Sequence, residues 1–123
     1  MSKTVLMVDD SKAILSLMRN VLDMAGYNVL TASDGEEGLK ILNSDKRVDI
    51  IITDLNMPNM DGITFIWEIR KISKYMFTPI CMLTTETEKA KLEEGESLSI
   101  DAWIHKPVQP VNVLNIVKKI LPS

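Results

Sequence analysis

Residues 49–54 read DIIITD, and residues 55–62 continue as LNMPNMDG. Three consecutive isoleucines predict a β-strand, because β-branched residues favour strands. Pro58 and Gly62 predict that the polar stretch after this strand is a loop. Strands of this kind are typical of parallel sheets covered by helices, so the stretch predicts an α/β fold.

Four other short apolar runs lie on either side of this strand. They are Thr4–Val8 (TVLMV), Asn28–Ala32, Ile80–Thr84 (ICMLT) and Ala102–His105. Helical patterns separate the runs, which gives five βα units in succession. This alternation predicts a doubly wound, five-stranded parallel sheet with helices on both faces.

Cap and turn residues mark where the predicted helices begin and end. Ser11 is a candidate N-cap for the first helix, and Gly26 stands where that helix should end. Ser33 with Glu36 is a capping-box signature that predicts a second helix through about Leu42. The remaining helices are predicted from Ile63, Ile66, Ile69 and Ile72, from the exposed polar run 85–97, and from Pro110 with Val113, Leu114, Val117, Ile120 and Leu121.

Composition limits the classes of function that the chain can have. Its 123 residues predict one domain over residues 1–123, and 46% hydrophobic with 25% charged residues is ordinary for a globular protein. A net charge of −3 disfavours binding to nucleic acids and to anionic membrane surfaces, because both would need a basic face on the protein. A single cysteine, no signal peptide and no long apolar run predict a soluble cytoplasmic protein.

Three acidic residues stand at the carboxyl ends of predicted strands. Asp9 and Asp10 follow the first strand, and Asp54 ends the third. If these two strands are neighbours, the three carboxylates share one crevice at the edge of the sheet. Their mutual repulsion then requires a proton or a cation, and an all-oxygen ligand set favours Mg²⁺. The simpler interpretation is that they are helix caps and turn formers.

The other two strand ends add a hydroxyl and a cation. Thr84 ends the fourth strand, and Lys106 follows the fifth. A carboxylate beside a metal ion, an ammonium and a hydroxyl is suited to receive a phosphoryl group, because each of these neutralises or orients a phosphoryl oxygen. Taken singly, a lysine before proline is usually solvated and a strand-end threonine is usually a β-former.

The chain resembles the receiver domains of two-component response regulators over almost its whole length, and among them the CheY-like chemotaxis receivers. The matching segments are VDDS (8–11), TDLNMPNMDG (53–62), LTTETE (83–88) and AWIHKP (102–107). The intervals also match, with 30 residues from Asp54 to Thr84 and 22 from there to Lys106. The resemblance implies a flavodoxin-like (βα)5 fold with strand order 2-1-3-4-5.

The same resemblance implies a role for each matching residue. Asp54 would accept the phosphoryl group, with Thr84 and Lys106 contacting it, and the Lys106–Pro107 bond would be cis. Mg²⁺, or Mn²⁺ in its place, would be bound by Asp9, Asp10, Asp54 and the backbone carbonyl of Asn56. Trp103 stands at the switch-aromatic position, where the family usually has Tyr or Phe. The further switch or partner residues would be Glu86, Lys89, Leu92 and His105.

The resemblance also implies partners. The phosphoryl donor would be a sensor histidine kinase or a phosphotransfer protein. Output would run through a downstream protein, possibly the flagellar motor switch, bound by the fourth helix, fifth strand and fifth helix of the family fold. We expect a monomeric switch without an output domain, which catalyses only its own phosphorylation and dephosphorylation. We do not expect it to bind nucleic acid or a membrane. Alternatives are a phosphorelay shuttle or a receiver excised from a larger regulator.

Two other classes of protein fit parts of the pattern. A phosphatase of the haloacid-dehalogenase type also forms an aspartyl phosphate, but it usually has Asp-x-Asp, and here Asn56 holds the second position. A flavodoxin would need a Ser/Thr/Gly-rich phosphate loop after the first strand, where this chain has Asp-Asp-Ser.

For the receiver, we expect Asn56 and Glu86 to admit water to the acyl phosphate, which gives a short-lived phosphoryl state.

Overall fold

The computed structural model describes residues 2–85 and 100–122, and its centre is a five-stranded parallel sheet. The strand order is β2-β1-β3-β4-β5, which confirms the predicted fold and the order that the resemblance implied. The strands are β1 (Thr4–Val8), β2 (Asn28–Ala32), β3 (Ile50–Asp54), β4 (Ile80–Thr84) and β5 (Ala102–His105). All but β3, which begins one residue later, have the predicted bounds.

Four α-helices lie within the described residues. They are α1 (Lys12–Met24), α2 (Gly35–Leu42), α3 (Gly62–Arg70) and α4 (Pro110–Ile120), with a short 3₁₀ helix at Ser73–Tyr75. The exposed helix predicted over residues 85–97 lies almost wholly outside the described residues. None of the helices seen here is long and apolar enough to cross a bilayer.

Each face of the sheet has its own hydrophobic core. On one face, residues such as Leu6, Ile51 and Met82 pack with Phe65 and Ile69 of α3. On the other, Ile52 and Leu83 belong to a cluster that includes residues of α1 and α4. Strands β3 and β4 are buried along their whole length because helices cover both faces of the sheet.

The predicted helix ends are confirmed at α1 and need correction at α2 and α3. Ser11 caps α1 by accepting a hydrogen bond from the backbone N–H of Ile14 (3.3 Å), and Gly26 follows the helix with φ +97°. The α2 N-cap, however, is Asp34 rather than Ser33, so the capping box predicted for Ser33 and Glu36 is wrong.

The start of α2 is displaced because Asp34 Oδ1 accepts from the backbone N–H of Glu37 at 2.8 Å. Ser33 instead bonds the side chain of the same glutamate. Helix α3 ends at Arg70, so Ile72 lies beyond it. There the chain turns into the 3₁₀ helix, which the isoleucine spacing did not predict.

Candidate functional site

Strands β1 and β3 are neighbours in the sheet, and this places three acidic residues together. Val8 is in register with Thr53, so Asp9 and Asp54 emerge side by side at the carboxyl edge. One carboxylate oxygen from each of Asp9, Asp10 and Asp54 lies within 4.8 Å of those of the other two. We call these residues the acid cluster. Asp9 and Asp54 are each 4% exposed, while Asp10 is exposed to solvent.

The electrostatics of the acid cluster are unfavourable without a cation. Burial, together with the neighbouring charges of Asp54 and Asp10, raises the pKa of Asp9 to about 6. The backbone N–H of Ser11, which donates to Asp9 Oδ1 at 2.9 Å, and the charge of Lys106 oppose this rise. Asp9 therefore holds its proton more tightly than an ordinary aspartate does.

Lys106 supplies a positive charge to the centre of the cluster. Its Nζ lies 2.5 Å from Oδ1 of Asp54, and the same oxygen accepts from the backbone N–H of Leu55 at 2.9 Å. The backbone N–H of Lys106 donates to the Thr84 carbonyl (3.0 Å), which fixes the residue at the end of β5. The Lys106–Pro107 bond is cis, as the resemblance implied.

Thr84 is fully buried at the end of β4, next to the strand that carries Asp54. Its hydroxyl donates to the carbonyl of Thr85 at 3.1 Å. A buried hydroxyl is expected to keep a hydrogen-bond partner, so a second acceptor brought to this edge of the sheet would compete for the same proton.

Residues 55–62, which we call the acceptor loop, join Asp54 to α3. The backbone N–H of Gly62 donates to the carbonyl of Leu55 at 2.7 Å, which closes the base of the loop. A Cβ at position 62 would lie 2.6 Å from the carbonyl oxygen of Asp54, so this close approach requires glycine. Asn56, which the resemblance implies as a ligand through its carbonyl, lies exposed within the loop.

The predicted switch and partner residues are only partly visible. Trp103 in β5 is partly buried and packs against the core that includes Met82 and Phe65, while His105 is exposed at the end of that strand. Glu86, Lys89 and Leu92 lie outside the described residues. The roles predicted for these residues stay predictions.

The donor set of the acid cluster fits a hard divalent cation. It consists of carboxylate oxygens from three side chains, two of them buried, and exposed Asp10 leaves one side open to water. Magnesium prefers oxygen ligands and keeps several waters. The contact of the Leu55 N–H with Asp54 could not be predicted from the sequence, because a backbone donor has no signature in residue type.

The family described as the response regulator receiver domain matches residues 5–118. The transcriptional regulatory protein PhoP of Bacillus subtilis is 41% identical over 121 residues, covering 98% of this chain and 49% of that protein. The chain thus spans about half the length of this protein and of two further transcriptional regulators that it matches.

Several relatives that the chain matches over most of their own length are chemotaxis proteins. A CheY homologue of Campylobacter jejuni is 36% identical over 106 residues, which is 85% of this chain and 82% of that protein. Among solved structures, the chemotaxis response regulator CheY4 of Vibrio cholerae superposes with a TM-score of 0.90 at 42% identity. That match covers 98% of this chain and all of the other.

Proposed function

This chain belongs to the response regulator receiver domain family, and we propose that it is a switch phosphorylated on Asp54, with residues 1–123 forming the receiver. One observation carries the proposal: the Asp54 carboxylate lies within reach of two further carboxylates and contacts the ammonium of Lys106 at 2.5 Å. A carboxylate in these surroundings is suited to receive a phosphoryl group.

In the proposed reaction, an oxygen of the Asp54 carboxylate attacks the phosphorus of a phosphohistidine on a kinase or phosphotransfer protein. The P–N bond breaks as the acyl phosphate forms, and the imidazole leaves. Lys106 holds a phosphoryl oxygen, and the backbone N–H of Leu55 holds Oδ1 of the acceptor in place. The step requires no other nucleophile, so the protein acts on itself and not as a classical enzyme.

The acid cluster and the carbonyl of Asn56 would hold Mg²⁺, or Mn²⁺ in its place. When bound, the ion neutralises charge on the transferring phosphoryl oxygens. The protein's own part is to keep Asp9 and Asp54 buried side by side, so that both face the incoming group.

The output step of the proposal starts at Thr84. Phosphoryl oxygens would draw its hydroxyl away from the Thr85 carbonyl, and the ring of Trp103 would move into the space it leaves. The altered surface would comprise β5 with His105, α4, and the segment that contains Glu86, Lys89 and Leu92. A downstream protein would read that surface.

The similarity to CheY proteins of matching length supports chemotaxis as the pathway, with the flagellar motor switch as a candidate target and a cytoplasmic location. The half-length matches to transcriptional regulators support a second candidate, in which the sequence is the receiver of a larger regulator. Reading the gene beyond codon 123 distinguishes the two. A phosphorelay shuttle would differ from both by passing its phosphoryl group to a second histidine protein.

The acceptor is tested by labelling with acetyl phosphate and Mg²⁺. We expect intact-mass spectra of the wild type to gain one phosphoryl group, and Asp54→Asn to gain none. Asp49→Asn is the matched control, because Asp49 precedes the same strand at the opposite edge of the sheet. Equal labelling of Asp54→Asn and the wild type would refute the acceptor assignment.

The lifetime of the phosphoryl state is a separate test. Water is expected to reach the acyl phosphate past Asn56 and Glu86, since both side chains can hydrogen-bond it. After the donor is removed, we expect phosphate release to be rapid with Mg²⁺ and slower with a bulky or apolar residue at either position. A phosphoryl state that is indifferent to both substitutions would show that these residues do not control water access.

A further inference from the structure

The tip of the acceptor loop is tied to a different part of the chain. The side-chain amide of Asn59 donates to Oδ2 of Asp34 at 2.9 Å, across 25 residues of sequence. Asp34 also caps α2, since its other carboxylate oxygen accepts from the backbone N–H of Glu37. One carboxylate thus joins the start of α2 to the loop that follows Asp54.

The backbone at Asn59 is adapted to this contact. Its φ is +68°, a left-handed conformation that asparagine tolerates better than most residues. The adjacent N–H of Met60 donates to the Pro58 carbonyl at 2.7 Å, which tightens the turn. A Cβ at Gly35 would come within 2.8 Å of the Met60 sulfur, so the first residue of α2 also packs directly against the loop.

We propose that Asp34 and Asn59 form a positioning pair that holds the acceptor loop in the conformation that binds the cation. The loop is closed at its base by Gly62 and Leu55 and anchored at its tip by Asn59. Asn56, whose carbonyl is the proposed ligand, lies between these two fixed points. Without the tip anchor, the loop would have to become ordered when the cation binds, and the conformational entropy lost would lower the affinity. The inference rests on the proposed function, because it presupposes the magnesium site.

The chain offers variants that separate the pair from its surroundings. Asn59→Gly removes the amide and tolerates the positive φ. Asp34→Ser keeps a helix cap for Glu37 and leaves Asn59 in place, so it removes the contact without adding a flexible glycine. Asn43→Gly is the matched control: Asn43 is also exposed, and from the position directly after α2 its amide donates to the Leu39 carbonyl of that helix.

Titration calorimetry with Mg²⁺ measures the effect on the wild type and each variant. We expect Asn59→Gly and Asp34→Ser to raise the Kd about three- to tenfold, somewhat less than the loss of a residue bonded directly to a ligand. Asn43→Gly should stay within about twofold of wild type. In the metal-free protein, we expect the ¹⁵N heteronuclear NOE of the Asn56 amide to fall in Asn59→Gly and Asp34→Ser but not in Asn43→Gly.

A charge swap distinguishes positioning from simple electrostatics. Asn59→Asp alone sets two carboxylates against each other, and we expect it to weaken Mg²⁺ binding although it adds a negative charge. Combining it with Asp34→Asn restores a donor and an acceptor in reverse order and should return the Kd to about twofold of wild type. Thermal unfolding of each variant identifies any that fails to fold.

The outcomes separate this inference from the proposed function. A wild type that binds no Mg²⁺ would overturn both. A wild type that binds Mg²⁺, with Asn59→Gly and Asp34→Ser binding equally well, would overturn the positioning pair alone. Tighter binding by Asn59→Asp, with no rescue in the swap, would also overturn it, because charge and not loop geometry would then set the affinity.

Discussion

Aspartates stand at both edges of the sheet, and their surroundings are opposite. At the amino edge, Asp49 precedes β3, accepts from the backbone N–H of Thr4 at 2.8 Å and contacts Arg47 at 3.2 Å. Asp101 precedes β5 in the same way, accepts from the N–H of Ile80 at 2.8 Å and lies 4.0 Å from Arg70. At the carboxyl edge, the acid cluster brings three carboxylates together around Lys106.

One residue type therefore serves two purposes in this fold. Each amino-edge aspartate satisfies the first N–H of a neighbouring strand and also has a guanidinium nearby, so its charge stabilises the fold. The carboxyl-edge aspartates repel one another, and burial of Asp9 adds to the cost. We infer that the first group supports the fold and that the second is retained for a ligand.

The largest effect is expected from a substitution that disrupts the carboxyl edge and leaves the amino edge intact. Lys106→Met keeps most of the side-chain stem but removes the charge beside Asp54. We expect labelling by acetyl phosphate to slow by about a hundredfold, the usual loss for one group that stabilises developing charge. Lys74→Met is the control, because Lys74 lies near the amino edge and donates to the Lys46 carbonyl. Equal rates for Lys106→Met and the control would remove Lys106 from the proposed chemistry.

The next largest effect is expected from a substitution at the amino edge. Asp49→Ala leaves the N–H of Thr4 and the guanidinium of Arg47 without their shared partner. We expect the free energy of unfolding to fall by about 2 kcal/mol, since hydrogen bonds to charged groups are worth about 1.5–3 kcal/mol. Urea denaturation measures this, with exposed Asp45→Ala as control and labelling of Asp54 expected to persist. A loss of labelling with no change in stability would contradict the account, because Asp49 would then serve the phosphorylation site and not the fold.

A smaller effect sharpens the proposed link from the carboxyl edge to the protein surface. We expect a phosphoryl mimic to change the fluorescence of Trp103 in a Trp67→Phe background, because the ring would leave its present packing against the core. Trp67 is 51% exposed and would otherwise contribute to the signal. An unchanged emission spectrum on activation would exclude the coupling to Trp103.

The sequence predicted the features that depend on local pattern. Short, mainly apolar runs identified the five strands, and acidic residues directly after β1 and at the end of β3 identified the crevice. The cap of α2 was predicted wrongly because SDGEE (33–37) offers two overlapping signals, Ser33 with Glu36 and Asp34 with Glu37. With Asp34 as the cap, Asn59 and Met60 contact the start of α2. These contacts span about 25 residues of sequence.

The roles of Asp49 and Asp101 were likewise not visible in the sequence. Each depends on which strand lies beside the one it precedes. Asp49 bonds the first residue of β1, and Asp101 bonds the first residue of β4. Strand order is a property of the whole fold, so residue type and spacing near either aspartate contain no signal for this contact.

The unfolding free energy of Asp9→Asn, measured without metal and then with Mg²⁺, tests most directly the claim that the acid cluster is retained for a ligand. The folded-state pKa of Asp9, about 6, lies above its ordinary 3.8, so ionisation of this group lowers stability as pH rises through that interval. At pH 7.5 in EDTA we predict that Asp9→Asn is more stable than wild type by about 1–2 kcal/mol. This gain should disappear below about pH 4 and be reduced or reversed by Mg²⁺. A variant that is no more stable than wild type in EDTA, or equally stabilised by Mg²⁺, would contradict the account.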